Sequence, residues 1–345
     1  MEQALSMSSQ FVKEITTSSL YGSKSIILVL SLVVLGIMLV LFSFGNRMRG
    51  EVEGFAQMER LVVKEGVDVY DAFYAPIYGK IMDDPRRCGF EMKEIIRTTG
   101  MENGARTPII LDVGCGDGDH LDVLMGKMKT PMLYTALDLS PHMLRLCKKK
   151  TEKKAKAGEH MIEYIEGDGV DGSLFEYGRY THIFVLYFSL YCIENKQQFF
   201  ENAYQWLQSG GYLVIHLVNR EKFDPIVNPA NPFYIISPQK YAKERIMESS
   251  VKFDDFDYRA KFEVSETAIG EDGKGRIAYF NETLKDHAGH VRKNKHVLYM
   301  ETQSEVLSMA KRAGFIMKGK INMAGCGYDH QYLYVLYKGS EYDGM

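Results

Sequence analysis

The chain lacks the marks of several common protein classes. Its five cysteines, Cys88, Cys115, Cys147, Cys192 and Cys326, are scattered, odd in number and contain no C-x-x-C pair. A disulfide framework or a zinc site is therefore not expected, and a reducing compartment is favoured. There is no basic excess either: the formal net charge is −3 over 345 residues, which argues against the electropositive footprint of a nucleic-acid binder. The G-x-G-x-x-G spacing of a dinucleotide-binding turn is also missing from the one stretch that comes near it. What remains is ample apolar sequence for a core and enough length for one large domain or two small ones.

The stretch that comes near runs from Ile109 to His120 and reads Ile-Ile-Leu-Asp-Val-Gly-Cys-Gly-Asp-Gly-Asp-His. An apolar run of strand length ends in Asp112, and Gly114, Gly116 and Gly118 follow at two-residue spacing before residues that can open a helix. Glycines allow such a turn to bend sharply and bring its N–H groups against a ligand. Asp112, Asp117 and Asp119 surround the turn. Their charge disfavours a pyrophosphate and suits a cationic nucleoside such as S-adenosylmethionine.

Asp112-Val-Gly-Cys-Gly-Asp-Gly118 resembles the first motif of class I S-adenosylmethionine-dependent methyltransferases, and the likeness extends over about residues 68–338. In that family the glycine turn packs against the methionine and ribose part of the cofactor. The resemblance therefore implicates Asp112, Gly114, Cys115, Gly116 and Gly118 in cofactor binding. It also implies a Rossmann-like α/β fold, with a seven-stranded, mostly parallel sheet covered by helices on both faces.

Residues 1–25 are polar and rich in Ser and Thr. Ile26 to Phe44 then gives 19 uncharged residues, which at about 1.5 Å per residue spans the hydrocarbon layer of roughly 30 Å. A single transmembrane helix is expected there. Arg47, Arg49, Arg60 and Lys64 follow it, against Lys13 and Lys24 before it, so the C-terminal domain is expected on the cytoplasmic side. Residues 45–67 read as a juxtamembrane linker and 68–345 as the methyltransferase domain. Tyr70, Phe73, Tyr74 and Ile77 fall at helical spacing, with Pro76 bending or ending the first turns; these aromatics either close over the cofactor or pack the segment onto the domain.

Leu121 to Met128 continues a helix and Leu133 to Asp138 forms the second strand. Asp138 follows Asp112 by 26 residues and is assigned to the ribose hydroxyls, unless it is only a loop acid ahead of Ser140 and Pro141. The lysines that end the following helix, from Lys148 to Lys156, read as a solvated face or as a phosphate patch. Gly167-Asp168, at the exit of a third strand beginning near Ile162, resembles the family's acidic motif beside adenine, which implies that Asp168 accepts from the exocyclic amine while Gly169 leaves room for the ring; a plain Asx-turn is the alternative.

The fourth strand, His182 to Leu186, leads into Tyr187, Ser189 and Tyr191. Tyr187 and Ser189 are candidates for acceptor contact, because ligands of open parallel sheets bind at the carboxyl ends of the strands. The Asn/Asp-Pro-Pro-Tyr signature of base amino-group methylation is absent; Phe188-Ser-Leu-Tyr191 resembles, over four residues, the corresponding stretch of messenger-RNA cap guanine methyltransferases. An amphipathic helix from Asn195 to Leu207 is expected to end in a glycine C-cap at Ser209-Gly-Gly. His216, at the end of the fifth strand, joins Tyr191 as a candidate base or orienting group.

Between Asn219 and Thr302 the alternation at Tyr258, Ala260, Phe262 and Val264, with further strands at 276–280 and 296–300, predicts a small antiparallel β-extension. It is either a substrate lid or a structural flap. Thr302-Gln-Ser-Glu305 is a capping box, and two closing strands follow. The leading expectation is a membrane-tethered methyltransferase for a small-molecule or lipid-associated acceptor, using S-adenosylmethionine and no metal. An RNA cap-type enzyme and a non-catalytic module that keeps the fold are the alternatives.

Overall fold

Pro108 and Gly114 bracket an apolar run that is buried along almost its whole length, and it forms strand β2 (Ile109–Val113) at the centre of the molecule. The computed structural model describes residues 60–102, 107–227, 229, 239, 242–265 and 275–340, all within one compact unit, Val52–Met345. The described helices are α1 (Ala75–Met82), α2 (Pro85–Thr99), α3 (Asp119–Lys127), α4 (Pro141–Ala157), α5 (Ser189–Cys192), α6 (Lys196–Trp206) and α7 (Gln303–Arg312).

β2 pairs in parallel with β3 (Leu133–Asp138) and β5 (Tyr180–Val185); β3 pairs with β4 (Met161–Glu166), and β5 with β6 (Leu207–Val218). β12 (Gln331–Tyr337) runs antiparallel to both β6 and β11 (Ile316–Asn322). The order is β11-β12-β6-β5-β2-β3-β4, so the sheet is mixed, with one strand running against the others. Its two faces carry separate cores. Trp206, Phe199, Phe200 and Phe315 pack on one face with α6 and α7, and Met92, Ile95, Leu121, Leu124 and Cys147 on the other with α2, α3 and α4. Burial of a side chain of this kind is worth about 1.5–3 kcal/mol.

The expected small extension is a second sheet of five strands. β7 (Glu248–Lys252), β8 (Phe256–Val264), β9 (Ile277–Asp286) and β10 (Val291–Tyr299) are successively antiparallel, and β1 (Leu61–Glu65) adds in parallel beside β10. Residues 61–65, read as linker from the sequence, are therefore a strand of the domain. A third apolar cluster, with Val69, Tyr74, Ile77, Phe256, Tyr258 and Leu284, seals this sheet against the segment from Gly66 to Met82.

Two local readings change. Pro76 lies in the first turn of α1, where its missing N–H has no intrahelical partner to lose, so it opens that helix instead of ending one. α6 has no glycine C-cap: it passes from Trp206 directly into β6, which starts at Leu207 and contains Gly210 and Gly211. The capping box forms as expected, with the Thr302 hydroxyl accepting from Glu305 N and the Glu305 carboxylate accepting from Thr302 N. Ile26–Phe44 lies outside the described residues. No helix among the described residues is long and apolar enough to cross a membrane.

Candidate active site

The glycine turn is built as its spacing implies. Gly114, Gly116 and Gly118 have φ of 72°, 57° and 87°, a region that costs an L-residue about 1–2 kcal/mol. A Cβ at Gly114 would come within 2.7 Å of Ser189 Oγ, and one at Gly118 within 2.6 Å of Cys147 Sγ. The turn is tied to the end of β3: Gly114 N and Cys115 N donate to Leu137 O, and Gly116 N donates to Asp138 Oδ2 at 2.9 Å. Ser140 N holds the other Asp138 oxygen at 2.8 Å. Burial nevertheless pushes Asp138 up to about 6, against the opposing pull of these two N–H groups.

A cavity of about 640 Å³ opens here, between the carboxyl ends of the parallel strands and the second sheet. That volume falls within the range of small-molecule sites. Gly114, Gly116, Asp138, Asp168, Gly169, Tyr187 and Ser189 line it. Asp168 also closes an Asx-turn, accepting from Val170 N. The missing side chain of Gly169 serves packing, because a Cβ there would come within 2.8 Å of Val113 Cγ1.

Three other assigned cofactor residues stand behind the cavity. Asp112 is buried and accepts from Tyr134 Oη at 2.7 Å; Cys115 is buried, and Gly118 packs on Cys147. The acidic rim must also be relocated. Asp117 and Asp119 are ion-paired with Lys150, at 2.6 Å for Asp117, and do not line the cavity. Lys154 and Lys156 likewise pair with Asp122 and Glu152, so the lysine-rich end of α4 is a solvated, salt-bridged face. The negative charge that faces the cavity comes from Asp138, Asp168, Glu194 and Asp224, with no Lys or Arg among the described lining residues.

The two candidate bases are corrected by the geometry. Tyr191 is fully buried, with its hydroxyl accepting from Val218 N at 2.9 Å, and burial holds its phenol protonated. His216 is fully buried with both ring nitrogens engaged: Phe188 N donates to Nδ1 at 3.2 Å, and Nε2 meets Gln331 Oε1 at 3.0 Å. Burial lowers its pKa to about 4. Neither lines the cavity. What His216 supports is the bend after β5, where Tyr187 and Phe188 both take positive φ, 38° and 67°. Such strain persists only where surrounding contacts over-determine it. The Arg87 guanidinium stacked 3.5 Å from the Tyr187 ring centroid and Ser189 Oγ bonded to Gly114 O supply two more of these contacts.

A family model described as a methyltransferase domain matches residues 111–215. Among solved structures, the CcbJ methyltransferase from Streptomyces caelestis shares the fold at a TM-score of 0.53 and 17% identity, covering 77% of this chain and 96% of its own. DesVI from Streptomyces venezuelae and CalS10, an amino pentose methyltransferase from Micromonospora echinaspora, each align at a TM-score of 0.49. Their identities are 18% and 17%; they cover 79% and 78% of this chain and 98% and 97% of their own. No curated protein sequence matches the chain significantly. Residues 111–215 thus match a methyltransferase domain, and the fold around them is that of the Rossmann-like methyltransferases.

That match implies S-adenosylmethionine as the cofactor, and the site fits that group. The turn that admits no side chain at Gly114 presents bare backbone to the cavity, Asp138 stands at the end of β3, and four carboxylates face a ligand whose charge is positive. Of the aromatics noted near the start of the domain, Tyr70 lines the cavity, and the chain carries further lining residues that the motifs did not mark, among them Phe223, Phe280 and His296. For His296 the signal lay in β10, where Arg292, Asn294 and His296 recur at every second residue and are all buried. Polar alternation of that kind reads as a solvent face unless the opposite strand is known.

Proposed function

We propose that the protein transfers the methyl group of S-adenosylmethionine to a small acceptor with an apolar body. The observation that carries this reading is the make-up of the cavity. At the strand ends it is acidic and glycine-lined; towards the second sheet Phe223, Phe262, Phe280, Val297 and Leu298 form an apolar wall. The bound cofactor supplies an electrophilic methyl carbon on a positive sulfur. Asp138 would hold the ribose hydroxyls and Asp168 the adenine amine, while Gly114 and Gly116 let the backbone approach. The protein's own contribution is alignment in a space shielded from water, worth up to roughly 7–11 kcal/mol in favourable cases. Tyr187 and Ser189, at the strained bend, face the acceptor side.

Anchoring through Ile26–Phe44, with the catalytic domain on the cytoplasmic side, belongs to the same proposal. It is supported by the 19 uncharged residues and the cationic residues that follow them. The test is to incubate the full-length protein with S-[methyl-³H]adenosylmethionine and a cell extract, then separate RNA, lipid and small-molecule fractions. Label in the small-molecule or lipid fraction is expected. Label confined to RNA, or none in any fraction, contradicts the reading.

A further inference from the structure

Glu282 is a carboxylate with 1% exposure in the middle of the second sheet, and four donors converge on it. Tyr74 Oη and Tyr258 Oη reach Oε1 at 2.6 and 2.7 Å, while Asn294 Nδ2 and His296 Nε2 reach Oε2 at 3.1 and 2.7 Å. Burial alone would raise its carboxyl; the neighbouring His296 and these hydrogen bonds outweigh that and hold it below the ordinary carboxylate range. A buried acceptor-only group saturated in this way is rigid.

With Nε2 donating to Glu282, the other ring nitrogen of His296 is left as an acceptor. Nδ1 meets the Tyr70 hydroxyl at 3.3 Å, and both His296 and Tyr70 line the cavity. Tyr70 is fixed from the cofactor side as well, since Ser140 Oγ donates to its carbonyl beside Asp138. Arg292 pins the same segment by donating to Val69 O and Asp71 Oδ2, each at 2.9 Å. The groups that face His296 are thus Glu282 from β9, Tyr70 and Tyr74 from the segment after β1, and the Phe280 ring. The chain Glu282–His296–Tyr70 leads from the interior of the second sheet into the space where the acceptor would lie.

We propose that this chain is the proton-accepting unit of methyl transfer, and that the acceptor is accordingly a protic nucleophile, an N–H or O–H group. As the acceptor lone pair forms its bond to the methyl carbon, the S–CH₃ bond breaks and its electron pair returns to sulfur. The acceptor's proton passes to the Tyr70 oxygen while the Tyr70 proton passes to His296 Nδ1, and the Glu282 carboxylate stabilises the resulting imidazolium. Burial pushes the Tyr70 phenol well up, so Tyr70 acts as a relay and does not store a tyrosinate. Glu282 is a positioning residue: it fixes the tautomer of His296 and touches no substrate. This inference rests on the methyltransferase reading above.

The test has two arms on the full-length protein. ¹⁵N spectroscopy of histidine-labelled protein, saturated with S-adenosylhomocysteine at about pH 8, reports the tautomer of His296, whose signals are assigned by their loss in His296→Gln. A neutral ring with the proton on Nε2 is expected, with loss of the single-tautomer signature in Glu282→Gln. A permanently charged ring, or a proton on Nδ1, overturns the relay even if Glu282→Gln fails to fold. In the second arm, transfer of tritium to the acceptor fraction is compared between wild type and His296→Gln. The expected result is a fall in kcat of about a hundredfold or more, with the KM for S-adenosylmethionine unchanged; an unchanged kcat overturns it. If S-adenosylhomocysteine does not bind and no label moves, the methyltransferase reading falls and the relay with it. If it binds while either relay outcome fails, only the relay is lost.

Discussion

At Asp138 protonation decides what the cavity can hold. Its folded-state value of about 6 lies above the ordinary carboxylate range near 4. Between about pH 4 and 6 the folded chain therefore binds more protons than the unfolded one, and this group's contribution to stability falls as pH rises through that window. Binding runs the other way, because the ionised form accepts the ribose hydroxyls. Calorimetry should show S-adenosylhomocysteine binding about tenfold more weakly at pH 5 than at pH 7, with the difference lost in Asp138→Asn; equal affinity at the two pH values in wild type contradicts the assignment. His216 has the opposite sign. Its folded value of about 4 lies below the ordinary histidine value near 6.5, so the unfolded chain binds more protons in that interval and stability falls as pH drops through it. His216→Gln should then be less destabilising at pH 5 than at pH 7 in urea unfolding. Gly118→Ala meets both a φ of 87° and Cys147 Sγ at 2.6 Å, and a loss of about 2–3 kcal/mol in the same measurement is expected.

Elements differ in how openly the sequence displays them. β2 and β3 occupy the residues expected of them, because central parallel strands read as continuous apolar runs and each ends at a distinctive residue, Gly114 in one case and Asp138 with Ser140-Pro141 in the other. β1 was hidden: Leu61–Glu65 is five residues long, and its partner β10 lies about 230 residues further on, so no local pattern marks the pairing. The candidate site divides along the same line. Glycines at positive φ and a strand-end carboxylate are legible from spacing alone, whereas the roles of Tyr191 and His216 turn on burial, and His296 on a cross-strand Glu282. The Gly66–Tyr74 segment also depends on a distant strand, through the donation of Arg292 to Val69 O and Asp71. Arg292→Met should cost about 2–3 kcal/mol and expose that segment to limited proteolysis, with cleavage between Gly66 and Tyr74. An unchanged digestion pattern would show that the third apolar cluster suffices to hold it.

For the whole molecule, two sheets meet over one cavity. The mixed seven-stranded sheet supplies the glycine turn and the carboxylates, and the five-stranded sheet supplies the apolar wall and the buried Glu282–His296 pair. The stretch Ile26–Phe44 adds an expectation at the same scale: the full-length protein should sediment with membranes and resist carbonate extraction, and release by carbonate would remove the anchor from the account. The central claim is that a cavity lined by Asp138, Asp168, Glu194 and Asp224, with no described Lys or Arg, selects a cationic nucleoside over a phosphorylated one. Isothermal titration of the full-length protein with S-adenosylmethionine, and separately with NADH, tests it most directly. One S-adenosylmethionine bound per chain and no heat from NADH is the predicted result; binding of NADH, or no binding of S-adenosylmethionine, would contradict it.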